Sequence, residues 1–195
     1  MAGINRRLLV SGIPKMFGIN LQSIIKSQQT ISTDANFTGL TNTEAISTVN
    51  SNNCLVLFGC HNNTTVGNKE ADRNFLNIQI SDTQLTLTKT DTTAGSYVYT
   101  INVIEFENDA VISNQFTSTG SSSSNGYVDV TLSAVSASNI IIPTNLGCST
   151  DNTNNYLLPS TYAEMTSSTN LRIGTSYSGS ASTQTIRAQV LELKV

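Results

Sequence analysis

Three cysteines and a single histidine are the residues of this sequence best suited to metal binding or nucleophilic catalysis. Cys60 and His61 are adjacent, with Cys54 nearby. Neighbouring residues of a strand point to opposite faces, so Cys60 and His61 cannot act together on one atom. The paired ligand spacing of zinc sites is also missing. We therefore expect no metal ion and no cofactor, and we expect Cys54, Cys60 and Cys148 to be reduced core residues.

A second candidate for chemistry is a group of carboxylates. Glu105, Glu107 and Asp109 alternate along the chain, which would place them on one side of a strand, where they could bind Ca²⁺ or act as a glycosidase pair. Only Glu105 has a counterpart, Glu192, in the repeat described below, so we expect structural roles and no enzymatic activity. The oxygen-rich run 151–155 lacks the acidic spacing and the glycine of a calcium loop, and predicts a long polar loop.

Tyrosines in polar segments are the remaining candidates for a binding site. Aromatic rings stack on the faces of sugars, so a glycan-binding face is an alternative to a purely structural role. Tryptophan, which such sites often use, is absent, and half-buried tyrosine is ordinary in β-sandwiches. The candidate rings are Tyr127, Tyr156, Tyr162 and Tyr177.

Composition limits the classes of partner. The 195 residues include 10 Lys and Arg against 13 Asp and Glu, giving a net charge of −3. A DNA-binding protein needs clustered cations to displace counterions from phosphates, so we expect no nucleic-acid partner. No apolar run approaches the roughly 20 residues that cross a bilayer, so we expect no membrane partner. Ser, Thr and Asn make up about 38% of the chain while Lys and Glu are scarce, which excludes an extended helical protein.

An internal repeat organises the chain. Residues 27–56 align without a gap on residues 113–142, at an offset of 86. Residues 98–106 match 185–193 in the same way, with one further residue inserted. The identities of the first alignment pair Ser27, Gln29, Ser32, Thr33, Ser47, Val49 and Asn53 with Ser113, Gln115, Ser118, Thr119, Ser133, Val135 and Asn139.

The last strand of each copy changes phase at the same place. Apolar residues alternate through Val103 and then continue at Ile104 and Phe106; in the second copy they alternate through Val190 and continue at Leu191. A slip of one residue moves side chains to the opposite face, so the pattern predicts either a β-bulge or a strand that is buried on both faces there.

Short segments rich in Val, Ile, Leu, Thr and Tyr, separated by polar runs, have the spacing of strands. The pattern predicts an all-β fold of two tandem antiparallel β-sandwiches, jelly-roll or immunoglobulin-like, produced by an internal duplication. The predicted units are an N-terminal docking arm at 1–26, a first sandwich at 27–109 and a second at 110–195. The short junction predicts that the sandwiches sit against each other.

Residues 1–26 lie outside the repeat and hold four of the ten basic residues and no acid. The apolar run after the twin arginine is broken at Gly12 and Pro14, so we do not expect an export signal. Two roles stay open: an arm that orders on a neighbouring subunit, or a strand or cap on the first sandwich. The candidate partner-binding residues are Arg6, Arg7, Leu8, Leu9, Phe17, Leu21 and Ile24.

The closing strand of the first copy, Tyr97-Val-Tyr-Thr-Ile-Asn-Val-Ile-Glu-Phe106, follows a Ser/Thr/Gly-rich loop and a Leu-Thr-Leu-Thr strand. It resembles the closing strand of small β-sandwich proteins of tailed-bacteriophage particles, which commonly end in an aromatic-x-Val-Val-Glu-Phe run. Here the aromatic residue is Tyr97 or Tyr99. The second copy ends in Val190-Leu-Glu-Leu193, with no aromatic residue before it.

The resemblance implies a structural protein of the virion, assembled in the host cytoplasm. We expect a capsid decoration or accessory protein that binds the major capsid protein or neighbouring head or tail subunits, and that forms a homo-oligomer. The alternative is a receptor- or glycan-binding module of a tail or head fibre.

Overall fold

The structure is a computed structural model of the 195-residue chain. It describes residues 24–37, 41–62, 77–88, 95–119, 127–136, 139–142, 148–150, 161–175 and 184–194. These residues form thirteen β-strands and one short 3-10 helix, Ser51–Asn53, with no α-helix among them. The predicted fold class, an all-β sandwich protein of antiparallel strands, is confirmed.

The first sandwich consists of two three-stranded antiparallel sheets. The first inner sheet has the strand order β1-β6-β3, and the first outer sheet has the order β2-β5-β4. The strands are β1 (Ile25–Phe37), β2 (Thr41–Ala45), β3 (Cys54–Asn62), β4 (Asn77–Ile80), β5 (Gln84–Thr88) and β6 (Gly95–Phe106).

The second sandwich repeats this arrangement. The second inner sheet has the order β10-β13-β7, with β9 also paired to β13, and the second outer sheet has the order β11-β12-β8. The strands are β7 (Val111–Thr119), β8 (Tyr127–Thr131), β9 (Ile140–Ile141), β10 (Cys148–Thr150), β11 (Thr161–Ser167), β12 (Asn170–Thr175) and β13 (Gln184–Leu193).

Alternation of apolar and polar residues fills a separate core in each sandwich. In β5, Leu85 and Leu87 are fully buried in the first core, while Thr86 between them faces outward. In β12, Leu171 and Ile173 have the same place in the second core. Because successive side chains of a strand point to opposite faces, this two-residue period gives each sheet one apolar and one polar face.

A third apolar cluster joins the two sandwiches. We call it the junction cluster; it lies on the far side of the inner sheets from both cores, and the closing strands β6 and β13 contribute to it. The first sandwich supplies Ile24, Ile25, Leu55, Ile104 and Phe106. The second supplies Ala110, Val111, Ile141, Leu191 and Leu193, which are the equivalent residues 86 or 87 positions later.

The phase slip of the closing strands is explained by burial on both faces. Val103 faces the first core, whereas Ile104 and Phe106 face the junction cluster. The β-bulges lie in the partner strands instead: the registers of β1 and β7 skip Lys26 and Ile112, which are 86 positions apart.

Hydrogen bonds also recur at the offset of the repeat. The side-chain amide of Gln29 accepts from the N–H of Ser47 at 2.7 Å and donates to its carbonyl at 3.0 Å. Gln115 makes the same pair of bonds to Ser133, at 2.8 and 3.1 Å. Origin by duplication would account for these contacts, and it stays a prediction.

The predicted unit boundaries lie close to strand ends. β1 begins at Ile25, so residues 25 and 26 of the predicted arm are strand residues, and residues 1–23 lie outside the described part. Between the sandwiches, residues 107–110 form a turn that is closed by a bond from the N–H of Ala110 to the carbonyl of Glu107. Within the described residues, no helix has the length and apolarity needed to span a membrane.

Candidate binding face on the second sandwich

The outward face of the second outer sheet gathers two tyrosines and three charged side chains. The register of β8, β12 and β11 places Tyr127, Gly174 and Tyr162 in one row across the sheet. The next row is Asp129, Arg172 and Glu164. We call these residues the tyrosine face.

Local sequence explains why these side chains point outward. In β8 (Tyr127–Thr131) the valines alternate with Tyr127 and Asp129, and Val130 packs on the second core. In β12, Leu171 and Ile173 are buried in that core, so Arg172 between them must face away from it. Burial of the apolar half of each strand therefore holds the polar half in a fixed order.

The two tyrosines are exposed, and the residue between them on the central strand is a glycine. Tyr127 is 37% exposed and Tyr162 is 41% exposed. Gly174 lies between them on the central strand, where it carries no side chain. Strands are about 4.8 Å apart, so the two tyrosine Cα atoms are separated by roughly 10 Å.

Contacts with Asp129 and Tyr127 hold the side chain of Arg172 in place. Its Nε and Nη2 atoms donate to the two carboxylate oxygens of Asp129 at 2.9 and 3.0 Å, which is a bidentate pair. Its guanidinium carbon lies 4.1 Å from the centre of the Tyr127 ring, a cation–π contact. The planar guanidinium therefore links the two rows of the face.

The ion pair of Asp129 and Arg172 is charged near neutral pH. The hydrogen bond from Arg172 lowers the pKa of Asp129 below its ordinary value, and the same bond raises the pKa of Arg172. A carboxylate with a lowered pKa is a poor general acid at neutral pH. The face presents aromatic rings for stacking and charged groups for hydrogen bonds.

The equivalent face of the first sandwich is different. The positions that match Tyr127 and Asp129 are Thr41 and Thr43 of β2, and they pair with Thr88 and Thr86 of β5. The described side chains pointing outward from that sheet are uncharged and carry no aromatic ring. The outward face of the equivalent sheet is therefore built without tyrosines or charges, so the fold does not require them on that face.

The predicted arm residues fall almost entirely outside the described part of the chain. Arg6, Arg7, Leu8, Leu9, Phe17 and Leu21 lie there, and only Ile24 is described. Ile24 packs on the junction cluster, and its carbonyl accepts from the N–H of Glu107 at 2.9 Å. For this residue the structure shows a contact within its own chain.

The carboxylates singled out in the sequence are not brought together as a site. Glu105 is 2% exposed and accepts hydrogen bonds from Lys26, Ser27 and the N–H of Asn50. Glu107 and Asp109 are exposed at the turn after β6. The counterpart of Glu105, Glu192, is also buried and accepts from the N–H of Ser136 at 2.8 Å.

Cys54 is a core residue. It is a free, buried thiol, its Sγ donates to the carbonyl of Asn50, and burial raises its pKa to about 12. The side chains of Cys60, His61 and Cys148 lie outside the described set, as do Tyr156, Tyr177 and residues 151–155. Within the described part of the chain, no group of three or more His, Cys, Asp or Glu residues could hold a metal ion.

Sequence reasoning found the two tyrosines but missed their neighbours. The signal for Asp129 and Arg172 was the alternation of polar residues with buried ones in Tyr127-Val-Asp-Val and Leu-Arg172-Ile. That pattern places each side chain on a face but does not tell which strands lie side by side.

Comparison with known proteins finds no neighbour, since no family model, no curated protein and no solved structure matches the chain.

Proposed function

We propose that this chain is a non-enzymatic structural component of a tailed-phage virion. In this proposal it is a capsid decoration or accessory protein, assembled in the host cytoplasm, that binds the particle through protein–protein contacts. The resemblance of the closing strand Tyr97-Val-Tyr-Thr-Ile-Asn-Val-Ile-Glu-Phe106 to phage sandwich proteins supports the virion context. The uncharged edge of β7 supports binding through protein–protein contacts.

Strand β7 (Val111–Thr119) is an uncharged edge strand. It pairs with β13 on one side, and no described strand pairs with its other side. Ile112 is 58% exposed and Phe116 is 46% exposed. Sheet edges are usually protected from other chains by lysine, proline or covering elements. An edge without charge that exposes two large apolar side chains is suited to contact another protein, such as the major capsid protein, a neighbouring subunit or a second copy.

The first test is quantitative mass spectrometry of density-purified particles from the source culture. On the order of hundreds of copies per particle would support decoration, because closed capsid lattices repeat one site many times. A few to some tens would place the chain in a tail, collar or fibre. Absence from particles would overturn the proposal.

The chain supplies a matched variant for the contact surface. The positions equivalent to Ile112 and Phe116 in the first sandwich are Lys26 and Thr30 of β1, so the double variant Ile112→Lys, Phe116→Thr introduces the residues that the equivalent strand carries. We expect at least a tenfold loss of particle incorporation with unchanged thermal unfolding. Full incorporation would remove β7 from the binding surface.

The predicted arm is tested separately by deleting residues 1–23. If these residues dock on a neighbouring subunit, the shortened protein should keep both sandwiches folded and fail to bind particles. Binding by the shortened protein would leave the arm without a docking role.

A second candidate function is a receptor- or glycan-binding module of a tail or head fibre. The observation that favours it is the exposed pair Tyr127 and Tyr162 on one face of the second sandwich. It predicts binding of the isolated protein to glycans.

A further inference from the structure

We propose that the tyrosine face binds a neutral saccharide, with sugar rings stacked on Tyr127 and Tyr162 and hydroxyl groups bonded to Asp129, Arg172 and Glu164. The inference rests on the second candidate function and assigns its site and ligand class. It does not depend on β7, on the arm or on the position of the chain in a particle.

The stacking surface has the dimensions of a short oligosaccharide. The two tyrosine Cα atoms lie roughly 10 Å apart across the central strand, close to the length of two linked pyranose rings. Gly174, between them, has no side chain and is itself buried. Tyrosine offers an apolar ring for C–H groups and a hydroxyl for polar ones, at a low cost in conformational entropy.

The charged row offers hydrogen-bonding groups of both kinds. Carboxylate oxygens of Asp129 and Glu164 accept from sugar hydroxyls, and free N–H groups of the Arg172 guanidinium donate to them. The bidentate bond to Asp129 and the contact with Tyr127 hold Arg172 in place before a ligand arrives. Such preorganisation lowers the entropy lost on binding.

Charge complementarity selects a neutral ligand. Two carboxylates surround one guanidinium, and both oxygens of Asp129 already pair with it. The remaining negative charge belongs to Glu164, so an anionic sugar would meet repulsion, and a neutral hydroxyl-rich ligand would not. The tyrosine face therefore favours neutral sugars over sialylated, sulfated or phosphorylated ones.

The first sandwich provides an internal reference. By register, its equivalent rows are Thr41, Thr88 and Asn77, and Thr43, Thr86 and Gln79, in place of the tyrosine and charged rows. Because the described outward face of that sheet forms without aromatic or charged residues, the fold does not require them on this face. Their concentration on one face of one sandwich is the feature that a binding site explains.

The test is a titration of the full chain with neutral oligosaccharides (cellohexaose, maltohexaose, laminarihexaose and chitohexaose), alongside an array of neutral and anionic glycans. We expect binding to at least one neutral glycan and weaker binding to its anionic relatives. Tyr127→Ala and Tyr162→Ala should each weaken that binding about tenfold or more. Thr41→Ala and Thr43→Ala, on the equivalent face of the first sandwich, should leave it unchanged.

The results of these titrations test the tyrosine face and the glycan-binding function separately. Binding that survives both tyrosine variants would overturn the site while a glycan-binding function stands. No binding to any glycan would overturn both. If the tyrosine variants lose particle incorporation and the chain binds no glycan, the face is a protein contact and the inference is wrong. Unchanged thermal unfolding of each variant shows that a loss of binding is not a loss of fold.

Discussion

At the residue scale, Glu105 shows how a buried carboxylate is retained in a β-sandwich. Its Oε1 accepts from Lys26 Nζ and from the N–H of Asn50, each at 2.9 Å, and its Oε2 accepts from Ser27 Oγ at 2.9 Å. Burial by itself would raise the pKa of Glu105, but these hydrogen bonds outweigh burial and keep the pKa below its ordinary value. The group therefore remains ionised and stabilises the fold.

The pH dependence of stability follows from the lowered pKa of Glu105 in the folded state. Since the pKa of Glu105 is lower in the folded state, its contribution is fully present above the unfolded pKa, about 4.3, and is lost as the pH falls through the lower folded value. We expect Glu105→Gln to lower the free energy of unfolding by about 1–3 kcal/mol at pH 7 and to reduce the acid dependence. Urea unfolding between neutral and acid pH measures both effects.

Glu107 is the matched control for this prediction. It lies two residues further along and is exposed. Glu107→Gln should change the free energy of unfolding by no more than about 0.5 kcal/mol, as expected for a surface substitution. Equal losses for the two variants would show that the hydrogen bonds of Glu105 do not contribute.

At the element scale, the free edge of β3 is closed by a side chain in place of a strand. Gln189 of β13 is fully buried; its Oε1 accepts from the N–H of Val56 at 3.1 Å, and its Nε2 donates to the carbonyl of Cys54. Asn114 of β7 donates to the same carbonyl at 3.0 Å. The second sandwich thus satisfies backbone groups that a neighbouring strand would otherwise have bonded.

Removing this amide should therefore be costly. Gln189→Ala leaves the buried N–H of Val56 without its acceptor, so we expect the free energy of unfolding to fall by about 1–3 kcal/mol in urea titrations. Asn102 is the equivalent residue of β6 and is only half-buried. Asn102→Ala should cost less than Gln189→Ala, and a larger loss for Asn102→Ala would contradict the role assigned to the Gln189 side chain.

The sequence predicts the buried faces of these strands but not the contacts between distant strands. Alternation in Leu85-Thr-Leu87 identifies a strand with one buried face, and the phase slip at Val103 and Ile104 predicts burial on both faces of the closing strand as one of two options. The contact between Gln189 and Val56 spans 133 positions and follows from no local pattern. The pairing of Arg172 with Asp129 could not be predicted from the sequence for the same reason, because local patterns do not determine strand register.

At the scale of the whole molecule, the junction cluster makes the stability of one sandwich depend on the other. The residues that it buries come from equivalent positions of both units, so neither unit alone covers its own apolar end. Leu55 and Phe106 of the first sandwich pack there with Leu191 and Leu193 of the second. We therefore expect both sandwiches to unfold in one cooperative transition.

Leu191→Ala tests this coupling. The side chain is fully buried, so we expect a loss of about 2–5 kcal/mol together with a calorimetric enthalpy that no longer equals the van't Hoff enthalpy. Leu87→Ala, in the first core, removes a similar volume away from the junction cluster and should lower stability while keeping one transition. Two transitions in the unmodified protein would show that the sandwiches are independent.

The turn at residues 107–110 has a consequence for assembly. Because the two halves of the junction cluster are equivalent, the second sandwich of one chain could in principle dock on the first sandwich of another. The short turn keeps the partner within the same chain at an effective concentration of about the millimolar range. Exchange between chains cannot compete at micromolar protein concentrations, so the self-complementary apolar ends close within each molecule and the outward faces remain free for other partners.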